Sequence, residues 1–300
     1  MANKKVHRKI KHLRLKKKHL LIFPVTTILL VAIGVFALFV YSNFRNLVYP
    51  VLHIDQASPK EVISQQNLKR DPAILPQVIE YGSRYQLKAA LTFDADMTPG
   101  MQKMLKLGIV KSWYNSSIKQ TLDKENVKAT IFLTGLWAET YPKEAKELAE
   151  DPLFEIGNHS YSHPAFTKNC FKLTFIDDIK DKSEVLSAQD AIKKATGITP
   201  KYFRFPGGCF DAQDLKNIHD LGLLVIHWDI AAGDGFNKNP EDIVQRVKSR
   251  VQNGSIIVFH LQGEPFAPKT NEALVKIIPY LKKRGYQLVT ISELLNQNPP

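Results

Sequence analysis

The stretch Ala90–Gly100, ALTFDADMTPG, ends an apolar run in two carboxylates two positions apart and follows them at once with Thr-Pro-Gly. Successive side chains on a strand alternate faces, so Asp94 and Asp96 project from the same side. Two like charges held together repel unless a proton or a cation sits between them. A solvated strand end or the start of a turn would also account for Asp, Pro and Gly in this order. The rest of the chain has to separate the two readings.

Beyond this run the sequence alternates short apolar segments with amphipathic ones. The apolar segments are KAALTFD (88–94), KATIFLT (128–134), FEIGNH (154–159), YFRFP (202–206), LLVIHWD (223–229), SIIVFHL (255–261) and YQLVTIS (286–292). Helical patterns lie between them at Tyr141–Ala149, Phe175–Ala195, Asp211–Leu221, Pro240–Val251 and Asn271–Arg284. Gly197, Gly222 and Gly285 stand where helices stop, and Pro240 where one starts. Val-, Ile-, Leu- and Phe-rich strands separated by helices argue for an α/β fold whose parallel strands are buried on both faces. Seven such units suit a barrel, complete or incomplete, and a doubly wound open sheet is the alternative. No glycine-rich phosphate loop follows the first strand.

The formal net charge of +12 is unevenly placed. Residues 1–19 hold nine of the 41 Lys and Arg and no acid, so the remaining 32 bases face 29 acids. That balance excludes a folded domain with a broad nucleic-acid-binding surface. The basic segment abuts Leu20–Val40, 21 positions without a charge, long enough as a helix for the ~30 Å hydrocarbon core. An uncleaved anchor is expected over 20–41, with residues 1–19 a cytoplasmic tail and everything beyond on the outer side. A cleaved signal peptide is the alternative, but its apolar region is usually shorter, roughly 7–15 residues. Residues 42–86, polar with scattered prolines, read as a stalk or lead-in, and 87–297 as the folded domain. Cys170 and Cys209 fall in the outer part, where a bridge can persist and free thiols are equally compatible.

Ionisable residues gather at the C-terminal ends of the apolar runs: Asp94 and Asp96, His159 and His163, Arg204, Asp229 and Asp234, His260. In a β/α barrel those ends converge on one face. His159 and His163, four apart in EIGNHSYSHP, would share one side of a helical turn. Two imidazoles and a carboxylate suit a divalent metal with a position left open for water. That cation also answers the repulsion between Asp94 and Asp96. In RFPGG (204–208), Arg204 can clamp a carboxylate, and the Gly207 N–H in its rigid turn can face an oxyanion. His260 would lie across the mouth from the aspartates, where a general acid belongs.

With these five segments in place, the chain resembles the polysaccharide deacetylases, the family 4 carbohydrate esterases that share the nodulation-factor deacetylase domain. The likeness covers roughly Leu87–Leu295, with all five family motifs in order and HSYSH (159–163) the most distinctive. It implies a distorted (β/α)7–8 barrel and a divalent metal, usually Zn2+, that hydrolyses N- or O-acetyl groups of glycans. Carried over by position, Asp94 is the general base; Asp96, His159 and His163 hold the metal. Arg204 holds the base, His260 is the general acid, and Asp234, rather than Asp229, tunes that histidine. Pro206 and Gly207 border the substrate. This sequence departs from the family in three places: Ala95 separates the motif-one aspartates, Gly207 stands where many members have Tyr, and Gly235 where a Trp often follows the motif-four acid.

An anchored outer enzyme of this kind is expected to act on an acetylated cell-envelope glycan, with peptidoglycan N-acetylglucosamine first. The alternatives are another exopolysaccharide or chitin-like polymer, acetyl-xylan, a small cyclic amide, or a catalytically silent glycan-binding scaffold. A nucleic-acid partner is not expected, because the excess charge sits in the tail.

Overall fold

The structure, a computed structural model, describes residues 77–296. The tail (1–19), the apolar segment (20–41) and the stalk up to residue 76 lie outside the described residues. No helix among the described residues is long and apolar enough to cross a membrane.

The chain order is β1 (Val78–Ile79), β2 (Lys88–Ala95), α1 (Pro99–Lys106), α2 (Ser116–Lys124), β3 (Ala129–Leu133), α3 (Gly135–Thr140), α4 (Pro142–Glu150), β4 (Phe154–Asn158), α5 (Asp178–Thr196), β5 (Tyr202–Phe203), α6 (Ala212–Asp220), β6 (Leu224–Ile226), β7 (Ile230–Ala231), α7 (Pro240–Arg250), β8 (Ser255–His260), α8 (Thr270–Lys283), β9 (Gln287–Leu288) and α9 (Ile291–Leu294). The named strands pair in parallel in the order β1-β6-β5-β4-β3-β2-β8-β7, with β9 beside the start of β2. The parallel, doubly buried sheet expected from the apolar runs is therefore present. β2, β3, β4 and β8 have no exposed residue.

Closure differs from the expected barrel. β1 and β7 stand at opposite ends of the order and do not pair with each other, so the sheet is a curled, open half-barrel. Only three residues separate β6 from β7. At about 3.5 Å per residue, the two sides of the opening come within ~14 Å. Residues 81–84 fill this seam, although the sequence placed them in the lead-in. Tyr81 bridges Ser255, and the Gly82 N–H donates to Gly254 O at 2.8 Å. Arg84 donates to Asn253 O at 2.8 Å and pairs with Asp229 at 2.9 Å. Asp229 in turn accepts from Ser255 Oγ and from Ile256 N–H, both at 2.9 Å.

Strand alternation divides the core. Leu91, Phe93, Ile131, Ile257 and Phe259 point outward and pack against the helices. Ala90, Phe132, Tyr202, Ile226 and Ile256 point into the curl, where residues 289–295 plug the lower end. Asp94, Arg204 and His260 share the inward register at the upper end. Gly157 is part of this inner packing, since a Cβ there would lie 2.5 Å from the Phe132 ring.

The helices expected at 141–149, 175–195, 211–221, 240–251 and 271–284 all form, with no end moved by more than three residues. α1 to α3 were not anticipated. Thr-Pro-Gly opens a helix rather than a bare turn: Thr98 Oγ1 accepts from Met101 N–H at 3.1 Å, and Pro99 takes the first helical position. The run YQLVTIS is strand only at Gln287–Leu288. It then enters α9, whose start is fixed by a capping box between Thr290 and Glu293.

Glu155, buried at the lower end of β4, holds α9 in place. It accepts from Thr130 Oγ1 at 2.9 Å, from Ser292 N–H at 3.1 Å and from Ser292 Oγ. Thr130 Oγ1 accepts from Ile291 N–H at 2.9 Å. Glu155→Ala strands several buried donors and is expected to cost about 3 kcal/mol. Urea denaturation should show a lower midpoint with an unchanged slope, and Glu155→Gln should fall between the two proteins.

Candidate active site

Asp94, next to last in β2, faces the inside of the curl, 5 % exposed, and Arg204 reaches it from just beyond β5. Arg204 Nη1 donates to Asp94 Oδ1 at 2.7 Å, while its Nε and Nη2 donate to Ile226 O at 3.3 Å and His227 O at 3.2 Å. The guanidinium is fully buried and lies 4.0 Å from the centroid of the Phe132 ring. A buried Arg–carboxylate pair is strongly directional and leaves the second carboxylate oxygen free to face the site. That oxygen, Asp94 Oδ2, lies 3.6 Å from His159 Nε2.

Asp96, on the same side two residues on, meets both histidines. Its Oδ1 lies 3.4 Å from His159 Nε2 and 3.3 Å from His163 Nε2. His159 and His163 do not form the helical turn expected from their spacing. Local side-chain bonds hold a loop there instead: Asn158 Oδ1 accepts from Ser160 N–H at 2.8 Å, and Ser160 Oγ accepts from His163 N–H at 3.1 Å. Ser160 and His163 take left-handed backbone angles, φ 68° and 59°. Asn158 Nδ2 anchors the loop to Val185 O and Gln189 Oε1 of α5.

Three observations fit this cluster to a divalent cation. The ligand atoms of Asp96, His159 and His163 all lie within 4.8 Å of one another. Buried Asp96 Oδ1 has no hydrogen-bond partner among the described residues. His159 Nδ1 bonds to Arg204 O at 2.8 Å, so that nitrogen carries the proton and the Nε2 lone pair faces Asp96. Tetrahedral ligands ~2.0–2.1 Å from one centre stand about 3.4 Å apart, which the Asp96–His159 and Asp96–His163 separations match.

The electrostatics agree. Burial opposes ionisation of Asp96, yet the neighbouring imidazoles, His163 foremost, hold its carboxyl well below the usual range. Burial disfavours charge on His159, but Asp94 and then Asp96 hold that imidazole above its ordinary pKa. In both cases positive charge is drawn toward the carboxylates.

Across the mouth, His260 Nδ1 lies 2.9 Å from Asp234 Oδ1, and its Nε2 lies 4.0 Å from Asp96 Oδ2. Burial favours neutral His260, but the Asp234 carboxylate outweighs it and pushes the imidazole up to about 10. Asp234 Oδ2 also accepts from His260 N–H at 2.8 Å and Thr270 Oγ1 at 2.6 Å. His227, near Arg204 and stacked on Trp228, goes the other way: burial, then Arg204, lower it to about 4. Pro206 and Gly207 form a short 3-10 turn beside Arg204, with Gly207 at φ 64°. Cys170 and Cys209 are bridged and tie the loop after His163 to this turn.

The structure thus places Asp94, Asp96, His159, His163, Arg204, Asp234 and His260 around one mouth, whereas Asp229 sits at the seam with Arg84. Sequence reasoning missed the supporting residues Phe132, Asn158, Thr270 and Gln262, the last donating to Asp96 O at 2.9 Å. Their roles depend on long-range contacts, and only Asn158 and Gln262 carried a signal, as neighbours of His159 and His260.

The polysaccharide deacetylase family model matches residues 84–226. A peptidoglycan-N-acetylglucosamine deacetylase of Bacillus cereus is 30% identical over 61% of this chain and 82% of its own length. The chain belongs to the polysaccharide deacetylase family. The peptidoglycan-N-acetylmuramic acid deacetylase PdaC of Bacillus subtilis is 30% identical over 81% of this chain and 46% of its own length. Matches to two further curated relatives span 55% and 63% of those proteins, so this chain corresponds to only part of them. Among solved structures, the Bc1960 peptidoglycan N-acetylglucosamine deacetylase has a TM-score of 0.64 at 26% identity, covering 74% of this chain and 94% of that one. A family 4 pseudoenzyme from Bacillus anthracis, BA3943, has a TM-score of 0.62 at 26% identity, covering 76% and 72%.

The cluster makes a direct prediction about metal. The full chain, purified in detergent and dialysed against a divalent ion, should retain one ion per chain by elemental analysis. Asp96→Ala and His159→Ala should lose it, whereas Asp94→Asn should keep it.

Proposed function

We propose that this protein is a metal-dependent deacetylase of cell-envelope glycan, acting first on peptidoglycan N-acetylglucosamine. The observation that carries this reading is the convergence at one mouth of the Asp94–Arg204 pair, the Asp96–His159–His163 cluster and the His260–Asp234 pair. A binding module needs none of these three arrangements. Three curated relatives named as deacetylases of peptidoglycan N-acetylglucosamine or N-acetylmuramic acid support peptidoglycan as the substrate class. The cluster's two imidazoles and one carboxylate suit Zn2+.

When bound, the cation would polarise the acetyl carbonyl and make a water more acidic. The chain's own residues do the rest. Arg204 fixes Oδ1 of Asp94, so Oδ2 is the oxygen that takes the proton from the attacking water. The Gly207 N–H, in its short turn, donates to the oxyanion that develops on the substrate. His260, kept protonated by Asp234, hands its proton to the leaving amine, and acetate departs. Asp234 is anchored by Thr270, so the imidazole's orientation is set before substrate arrives.

We further propose that the apolar segment 20–41 anchors the chain with residues 1–19 cytoplasmic and the site outside. The Cys170–Cys209 bridge supports an oxidising surroundings for the domain. The pseudoenzyme among the structural neighbours favours one second reading, a silent glycan-binding scaffold.

The experiment is acetate release from peptidoglycan by the detergent-purified full chain. Chelator should abolish release and zinc restore it, and mass spectrometry of the muropeptides should show which sugar lost its acetyl group. No release with metal bound points to another acetylated polymer; no release and no metal leaves the scaffold. Asp94→Asn should lower kcat about 10²–10⁴-fold with metal retained. A general acid works only while protonated, so the rate falls as pH rises through the His260 pKa. Asp234→Asn removes what raises that pKa, and the alkaline limb of the pH–rate profile should move to lower pH.

A further inference from the structure

A second cluster of carboxylates lies between α5 and α6 and shares no residue with the one at the mouth. One oxygen each from Asp178, Asp181 and Asp214 lie within 4.8 Å of one another. Asp178 is exposed, whereas Asp181 and Asp214 are fully buried. All three stand in the first turn of a helix, where backbone N–H groups favour acidic residues. Position alone therefore explains why aspartates are found there.

A helix start does not explain the oxygens left over. Asp214 Oδ2 accepts from Asp211 N–H at 2.7 Å, and Asp181 Oδ2 accepts from Asn217 Nδ2 at 3.2 Å. The other oxygen of each, Oδ1, is buried and has no hydrogen-bond partner among the described residues. The two carboxylates are direct neighbours, with Asp178 on the solvent side. A buried carboxylate oxygen without a donor is costly, and two of them side by side add repulsion. Burial foremost raises both carboxyls above their ordinary range, and the Asp211 charge adds to it in each case. Lys182, next to Asp181, pairs with Asp220 at 3.0 Å. A proton shared by Asp181 and Asp214 would serve two oxygens and leave the third carboxylate facing them. A cation held by all three satisfies both unpartnered atoms.

We propose that Asp178, Asp181 and Asp214 bind a hard divalent cation, calcium first, which fastens the start of α5 to the start of α6. The donor set is oxygen only, unlike the mouth, where two imidazoles contribute. Calcium takes oxygens at ~2.3–2.6 Å, so ligands on opposite sides of it stand up to about 5 Å apart. Three carboxylate oxygens within 4.8 Å fit that sphere. Exposed Asp178 gives the ion its way in and leaves the outer positions to water.

Both helices run back from the upper end of the sheet. α5 follows β4 and the loop of His159 and His163, and α6 follows β5 and Arg204. The ion thus ties together the two connections that carry the histidine pair and the arginine. Asn217 already joins them, donating to Asp178 O at 3.3 Å as well as to Asp181. Neither substrate nor the ion at the mouth enters this inference, so it is independent of the deacetylase reading.

The test uses the full chain in detergent, stripped with chelator and given one equivalent of zinc to fill the mouth, whose imidazoles prefer it. Calcium chloride is then titrated in. Equilibrium dialysis should find one calcium per chain in addition to the zinc. Asp181→Asn and Asp214→Asn should lose the calcium and keep the zinc, whereas His159→Ala should lose the zinc and keep the calcium. Each asparagine retains an oxygen for the Asn217 or Asp211 donor. Asp178→Asn, at an exposed position where folding is not at risk, should raise the calcium Kd about tenfold. Calcium at a hundred times its Kd should raise the wild-type Tm by roughly 5–10 °C and leave the Tm of Asp181→Asn unmoved. No bound calcium at millimolar concentration, with a Tm indifferent to it, overturns the proposal and leaves a proton shared by Asp181 and Asp214. Calcium that survives the three asparagine variants, or that leaves with His159→Ala, is bound elsewhere and overturns it equally.

Discussion

A single buried contact, Arg204 to Asp94, constrains the rest of the molecule. Arg204 directly follows β5 and Asp94 lies in β2, strands separated in the sheet by β4 and β3. Side chains that far apart in a flat sheet could not reach one another, since each strand adds about 4.8 Å. Their 2.7 Å contact is a chord across the curl. Burying both charges is costly unless each is fully hydrogen-bonded. Arg204 meets that condition through Asp94 and the carbonyls of Ile226 and His227, with the Phe132 ring beneath it. Phe132 in turn depends on Gly157, because no Cβ fits there. The shape of the sheet and the aim of Asp94 toward the mouth are therefore one arrangement.

Around that contact the site is an arrangement of unequal carboxylates. Asp94 pairs on one oxygen with a permanent cation, Asp234 meets an imidazole and a hydroxyl, and Asp96 faces the imidazoles of His159 and His163. The same residue type thus serves three purposes because its surroundings differ. The supporting contacts come from distant parts of the chain: the Arg204 carbonyl sets the His159 tautomer, Thr270 fixes Asp234, and Gln262 holds the Asp96 backbone.

The opening in the sheet has its own polar closure. Arg84, Asp229 and Ser255 fasten residues 81–84 across the seam, at the end opposite the mouth. Asp229 and Asp234 lie only five positions apart, yet Asp229 pairs with Arg84 at the seam and Asp234 with His260 at the mouth. The strand β7 between them decides which is which, by turning the chain from the lower rim to the upper.

Much of this was legible from residue order. Continuous apolar runs between period-3.6 segments imply a parallel α/β sheet, because helices on its faces bury such strands on both sides. The polar residues at the ends of those runs imply one mouth, because parallel strands all finish on the same side. Five helices were placed within three residues for the same local reason. What residue order could not decide was anything set by distant contacts. The sheet stops short of a closed barrel because residues 81–84 occupy the seam. The run at 286–292 turns into a capped helix because Glu155 and Thr130 accept its backbone. His159 and His163 sit in a strained loop rather than a helical turn because Asn158 and Ser160 bond the backbone there, and α5 anchors it. Two cysteines 39 positions apart became a bridge because the curl brought their loops together. Local periodicity records which face of an element is buried, and tertiary packing alone records what that face is buried against.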